Sequence, residues 1–192
     1  MTSSVQEILD FWFGKPNQPD YGQERKTWFR KDPEFDQEVR SRFLEDYQLS
    51  AAGQLEDWKK TPQGCLALIL LLDQFPRNIF RGQPQAFATD SQALAVAKHT
   101  VDQGFDQELL PVQRWFIYIP YEHSENLADQ QRCLQLFSTL QDDPKSTSTI
   151  NYAYQHFQVI ERFGRFPHRN QILGRETTPE EAEFLQQPGS SF

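Results

Sequence analysis

TPQGCLALILLLDQFPRNIFRG, residues Thr61 to Gly82, decides the fold class. Thr61 is a side-chain N-cap, and Pro62 suits the first helical position, whose N–H has no intrahelical partner. Eight apolar residues follow without interruption, Cys65 to Leu72. A helix crossing a bilayer needs about 20. The run therefore reads as a buried helix that ends near Phe75, before Pro76.

The same punctuation recurs outward from this run. Ser4 with Glu7 forms a capping box for a first helix through Phe13, ended by Gly14 and Pro16. Asp32-Pro33 opens a second, with Phe35, Val39, Phe43 and Tyr47 on one stripe and Gly53 beyond its end. Downstream, Thr89 or Asp90 caps a helix through Ala93, Ala97 and Val101, stopped at Gly104. Leu110 to Ile119 is an apolar stretch halted by Pro120. Its WFIYI core has strand propensity but is short and Pro-bounded, so it is read as helix. Ser124 caps a helix with Leu127, Leu134 and Phe137 on its apolar face. The polar loop QDDPKSTST precedes a helix carrying Ile150, Ala153, Phe157 and Ile160, closed by Gly164. Thr178-Pro179 with Glu181 sets a last short helix.

These signals predict an all-α chain of seven to nine helices, a single domain over residues 1–192 built as an array of antiparallel hairpins. The irregular parts are expected at Lys15 to Gln23 and in the tail after about residue 187, whose final Phe192 either docks or frays. The chain of 192 residues carries a net charge of −8, which argues against general nucleic-acid binding. With 16 Phe, 6 Tyr and 4 Trp, the core should be rich in rings. The N-terminus MTSSVQEILDFWF shows no basic n-region and no small-residue cleavage site. Cys65 and Cys133 lie in apolar helical patterns and read as two buried thiols of a reducing compartment. A cytoplasmic protein without a membrane segment is expected.

Three charged clusters each follow an apolar helix and a Pro. The first is Asp73, Arg77, Asn78 and Arg81; the second is Glu122, His123, Ser124 and Glu125; the third is Arg162, Arg165, His168, Arg169, Asn170 and Arg175. FGRFPHRNQILGR echoes DQFPRNIFRG: Phe-Pro, then Arg-Asn, an apolar residue and Gly. If Pro restarts a helix in each, the Arg stands at the positive end of the helix dipole, where a cation is disfavoured. An anion opposite would resolve that conflict, either a ligand or an internal carboxylate such as Asp73, Glu122 or Glu161. Between Lys145 and Arg175 five basic residues face a single acid, Glu161.

Carboxylates beside His123 in PYEHSE suit a general base, or alternatively a structurally partnered helix-start histidine. His168, between Pro and Arg, should have a lowered proton affinity. His156, one turn after Tyr152, reads as a half-buried, satisfied imidazole. There is no His-Glu-x-x-His and no Cys-x-x-Cys, so no metal or cofactor is expected. Ser124 lacks a nucleophile-elbow context.

The phrases LLDQFPRNIFRG with AFATDSQAL, FIYIPYEHSENLADQQ and HFQVIERFGRFPHRNQILGRETTPEEAEFL, together with the DFWFG start, resemble the bacterial family called domain of unknown function 924. The resemblance spans nearly the whole chain. It implies a tetratricopeptide-like helical fold and no particular activity, although the 34-residue tetratricopeptide pattern itself is not visible. Its shared charged phrases include His156 and coincide with the three clusters.

The resulting expectation is a small polar pocket for a carboxylate or phosphate. Arg77 and Arg169 bind the anion, Asn78 and Asn170 orient it, and Asp73, His156 and Arg162 complete the binding set. His123 with Glu122 or Glu125, and His168, would serve as acid and base. The alternative is a peptide- or protein-binding helical scaffold whose charged motifs are structural ion pairs.

Overall fold

Helices begin where side-chain caps stand. In the computed structural model, which describes residues 2–190, α1 (Val5–Phe13) starts from the reciprocal Ser4–Glu7 box. α2 (Pro33–Ala51) starts from Asp32, whose carboxylate accepts from the N–H groups of Glu34 and Phe35. Thr61 caps α3, which opens with Pro62–Ile69, through the N–H of Gly64. The helices α4 (Asp90–Asp102), α5 (Pro111–Glu122), α6 (Leu127–Ser138), α7 (Thr147–Phe163) and α8 (Pro179–Phe184) follow, the last capped by the Thr178–Glu181 box. Among the described residues there is no strand, and WFIYI lies within α5.

α3 does not stop before Pro76. It runs as one rod through Pro62–Ile69, a π-helical turn Leu70–Gln74 and a last segment Phe75–Ile79. Proline in a helix orphans the carbonyl four residues back. Here that carbonyl belongs to Leu72, and the Thr89 hydroxyl donates to it at 2.6 Å. The wider turn and a donor from another segment let the helix continue. Pro120 likewise fails to end its helix, since α5 runs on to Glu122 with the proline inside. Thr89 occupies the N-cap position of α4 without a side-chain capping bond there. α6 is capped by Asn126 rather than Ser124, whose hydroxyl donates to Asp129. The buried face of α6 is Gln130, Cys133, Leu136 and Phe137, with Leu127 exposed.

The core forms around α3, which packs against α1, α2, α4 and α5, and each helix from α3 to α7 packs on the next. Every residue from Cys65 to Leu72 is at most 3% exposed. Burying a large apolar side chain of this kind stabilises by roughly 1.5–3 kcal/mol. Rings dominate as expected: Trp12, Trp28, Phe13 and Phe116 pack with centroids 5.0–5.9 Å apart. A smaller cluster of Val159, Ile160 and Phe166 sits under Phe163 and Phe184. Cys65 and Cys133 are buried free thiols, and burial pushes both up from the usual thiol range. Gly164 ends α7 with φ of +68°, a conformation that favours glycine. Ser190 is still buried, its hydroxyl donating to the Leu185 carbonyl, whereas Phe192 lies outside the described residues. No helix among them is long and apolar enough to cross a membrane.

Candidate functional site

The π-turn of α3 aims Asp73 inward, where it is completely buried. Its Oδ1 accepts from Nδ1 of His123, at the C-terminal end of α5, over 2.7 Å. Oδ2 accepts from the Gln74 side-chain amide at 2.6 Å. One turn on, Arg77 Nη1 donates to the Asp73 carbonyl at 2.6 Å and lies 3.3 Å from Asp73 Oδ1. The Arg77 fork also grips Asp90, the first residue of α4, through two bonds of 2.9 and 3.1 Å.

Arg169 comes from the short 3-10 turn Pro167–Arg169. Its Nη1 is 3.4 Å from Asp90 Oδ2, so one carboxylate serves both arginines. The guanidinium lies between two rings, 4.5 Å from the centroid of Phe166 and 4.7 Å from that of Phe87. Nε of Arg169 is buried without an acceptor. Beneath this layer, Glu122 and His156 are both buried, with Glu122 Oε1 3.2 Å from His156 Nδ1. The Tyr152 carbonyl 2.8 Å from the same Nδ1 can only accept, so the proton of His156 sits there.

Burial and charge divide these groups. Burial, together with the Asp73 charge, pushes Glu122 up to about 8. Burial raises Asp73 too, but Arg77 and His123 outweigh it and hold that carboxyl well below the usual range. Burial and the Arg77 charge lower His123. Burial is the main cause that lowers His156 to about 3, and burial with Arg169 lowers His168 to about 4. At neutral pH the centre thus holds an ionised Asp73, a neutral His123 and a protonated Glu122.

His123 and Arg169 open on a pocket of about 360 Å³. Its walls are Pro84, Phe87, Ala88, Leu94, Pro120 and Leu173, with Asp90, Ser91, Ser124 and Glu125 as further polar groups. Because Asp73 only accepts, the His123 proton is on Nδ1. That leaves the Nε2 lone pair outward, and no described protein group engages it. Glu125 stands at the rim in a two-bond pair with Arg175, at 2.7 and 3.1 Å. It accepts from the N–H of Phe166 at 2.8 Å, while Arg175 donates to the Phe166 carbonyl at 2.9 Å. The pair clamps the residue whose ring supports Arg169.

Asp73, Arg77, Glu122, His123, Glu125, His156 and Arg169 therefore converge, as the sequence suggests. His168 packs its ring 5.6 Å from Phe166 but does not line the pocket. Three expected binding residues lie elsewhere. Asn78 donates to Asp36, as does Arg81, stapling α3 to α2. Asn170 donates to Glu181 and so anchors α8. Arg162 pairs with Glu180 at the surface and lines a separate hollow. Arg77 also contradicts the premise of a cation at a helix start: it stands in the last turn of α3, where the dipole favours it. Asp90 and Phe87 are the residues the sequence reading missed as site members. Asp90 was visible only as a helix-start acid, which is where capping alone would put one.

Among known proteins, none of the curated ones searched matches the chain. One solved structure, that of a protein of unknown function from Agrobacterium tumefaciens, is 41% identical. The likeness covers 95% of this chain and 96% of that one, with a TM-score of 0.84. The model of the bacterial family of unknown function DUF924 matches residues 8–189. With nearly the whole chain matched, this protein belongs to that family.

Proposed function

We propose that this protein is a cytoplasmic acid/base enzyme, hydrolytic in its simplest form, acting on a small molecule that carries a carboxylate or phosphate. The observation that carries this reading is the buried Asp73 holding His123 at 2.7 Å, with the imidazole lining an open pocket. A carboxylate on Nδ1 sets the tautomer and orientation in which Nε2 can take a proton from water or a substrate hydroxyl. The imidazolium so formed faces Asp73 and can return that proton to the leaving group. Arg169, held by rings and by one long contact to Asp90, is the group that would receive the anion.

The test uses chromogenic esters, amides and phosphate esters on the wild-type protein and on His123→Gln. Acid/base groups contribute about 10²–10⁴-fold, and a loss of that size in the variant is expected. A panel activity indifferent to His123, or no activity with no anion raising the melting temperature, overturns the reading. A ligand at a hundred times its Kd adds about 2.7 kcal/mol of stability, readily seen in a melt.

A second reading, a scaffold for peptides, draws on the exposed Tyr152 and Tyr154 of α7. It predicts peptide capture that Tyr152→Ala weakens and His123→Gln leaves unchanged.

A further inference from the structure

Two of the three arginines around the pocket are committed before any ligand arrives. Arg77 is committed to Asp73 and Asp90, and Arg175 is committed to Glu125. Nε of Arg169 and Nε of Arg175 both lack an acceptor, but of the two only Arg169, its side chain 8% exposed, lines the pocket. Its Nη1 takes the 3.4 Å contact to Asp90, so the Nε side of the fork is where an acceptor is missing. Asp90 and Glu125 meanwhile line the same pocket as carboxylates. A second negative charge on a ligand would face both without a further arginine to neutralise it.

The guanidinium carbon lies 4.5 and 4.7 Å from the Phe166 and Phe87 ring centroids. Its fork can hold a carboxylate or a phosphate with two parallel bonds, so the choice between them falls to the surrounding charge. The remaining wall is apolar, formed by Phe87, Leu94, Pro120 and Leu173. A pocket of about 360 Å³ holds a compact body and little more.

We infer that the ligand is a compact monocarboxylate with a branched or cyclic apolar body, its carboxylate on the Arg169 guanidinium and its body against Leu94 and Leu173. This rests on the pocket being the anion site and narrows the class of anion from two to one.

Titration calorimetry at constant ionic strength and pH 7.5 would compare three probes sharing one isobutyl body: 3-methylbutanoate, 2-methylpropyl phosphate and 3-methylbutanamide. Above its second ionisation at about pH 6 the phosphate is mostly dianionic. The carboxylate should bind at least about tenfold more tightly than either analogue, and Arg169→Lys should lose most of that preference. Phosphate binding as tight as carboxylate overturns the monocarboxylate assignment while leaving an anion pocket in place. Equal binding of the amide removes the anion requirement itself. Failure of all three to bind overturns the inference, and the His123 dependence of the chromogenic panel then judges the acid/base reading separately.

Discussion

The Thr89 hydroxyl donates to the main-chain carbonyl of Leu72, the carbonyl that Pro76 deprives of its helical partner. This bond of 2.6 Å joins the start of α4 to the π-turn that carries Asp73. Local chain chemistry alone would break α3 at this point. A side chain 17 residues away lets it continue.

Thr89→Val keeps the shape and removes the donor. Leaving the buried carbonyl unpaired should cost about 1–3 kcal/mol, read as a lower urea midpoint at unchanged slope. Thr89→Ser, which keeps a hydroxyl, should recover most of it. An unchanged midpoint in the valine variant would show that the π-turn holds without this bond.

Glu122 gives the fold a pH dependence of definite sign. Its folded value of about 8 lies above the ordinary 4.5, so between those limits the native state holds a proton that the unfolded chain has released. Stability from this group is full below about pH 4.5 and falls as pH rises to about 8, by at most about 1.4 kcal/mol per pH unit. His156 and His168, lowered from 6.5, act oppositely below pH 6.5, so the Glu122 slope stands clear only above it. Glu122→Gln should therefore flatten the stability curve between pH 7 and 8.5 and gain on the wild type there. Parallel curves would show that Glu122 is ionised in the fold.

Asp73→Asn should change His123 itself. With the carboxylate, Nδ1 carries the proton and nitrogen-15 NMR of the imidazole should report that neutral tautomer at pH 7. The variant should shift the tautomer balance, while Arg77 keeps its two bonds to Asp90. The loss of stability should therefore stay below the roughly 3–5 kcal/mol of an uncompensated buried charge. An unchanged tautomer in a folded variant would remove Asp73 from the orienting role.

Gly64→Ala tests a close approach in the first turn of α3. A Cβ there would lie 2.1 Å from the Trp58 carbonyl oxygen, and the contact is with backbone. Displacing it should cost about 3 kcal/mol, seen in thermal or urea melts, despite alanine's better helix propensity. A neutral outcome would mean that the Trp58 turn yields freely.

The sequence by itself determined the features whose partners are near in the chain. Ser4 with Glu7, Asp32-Pro33, Thr61-Pro62 and Thr178 with Glu181 all start helices as their residues predict, because a cap needs only the N–H groups two or three positions ahead. The eight-residue run from Cys65 was legible as a buried helix because nothing polar interrupts it. Long-range pairing was not legible. Asp90 meets Arg77 across 13 positions and Arg169 across 79, Asn78 goes to Asp36 across 42, and Glu125 meets Arg175 across 50. Any of several carboxylates was an equally good partner on composition, and only the packing of the helices brought one of them within reach. Pro76 and Pro120 show the same limit from the other side. A proline costs an isolated helix about 3 kcal/mol, and whether it breaks the helix depends on compensation from the surrounding fold. For Pro76 that compensation includes a hydroxyl just before another helix, which no local reading of α3 contains.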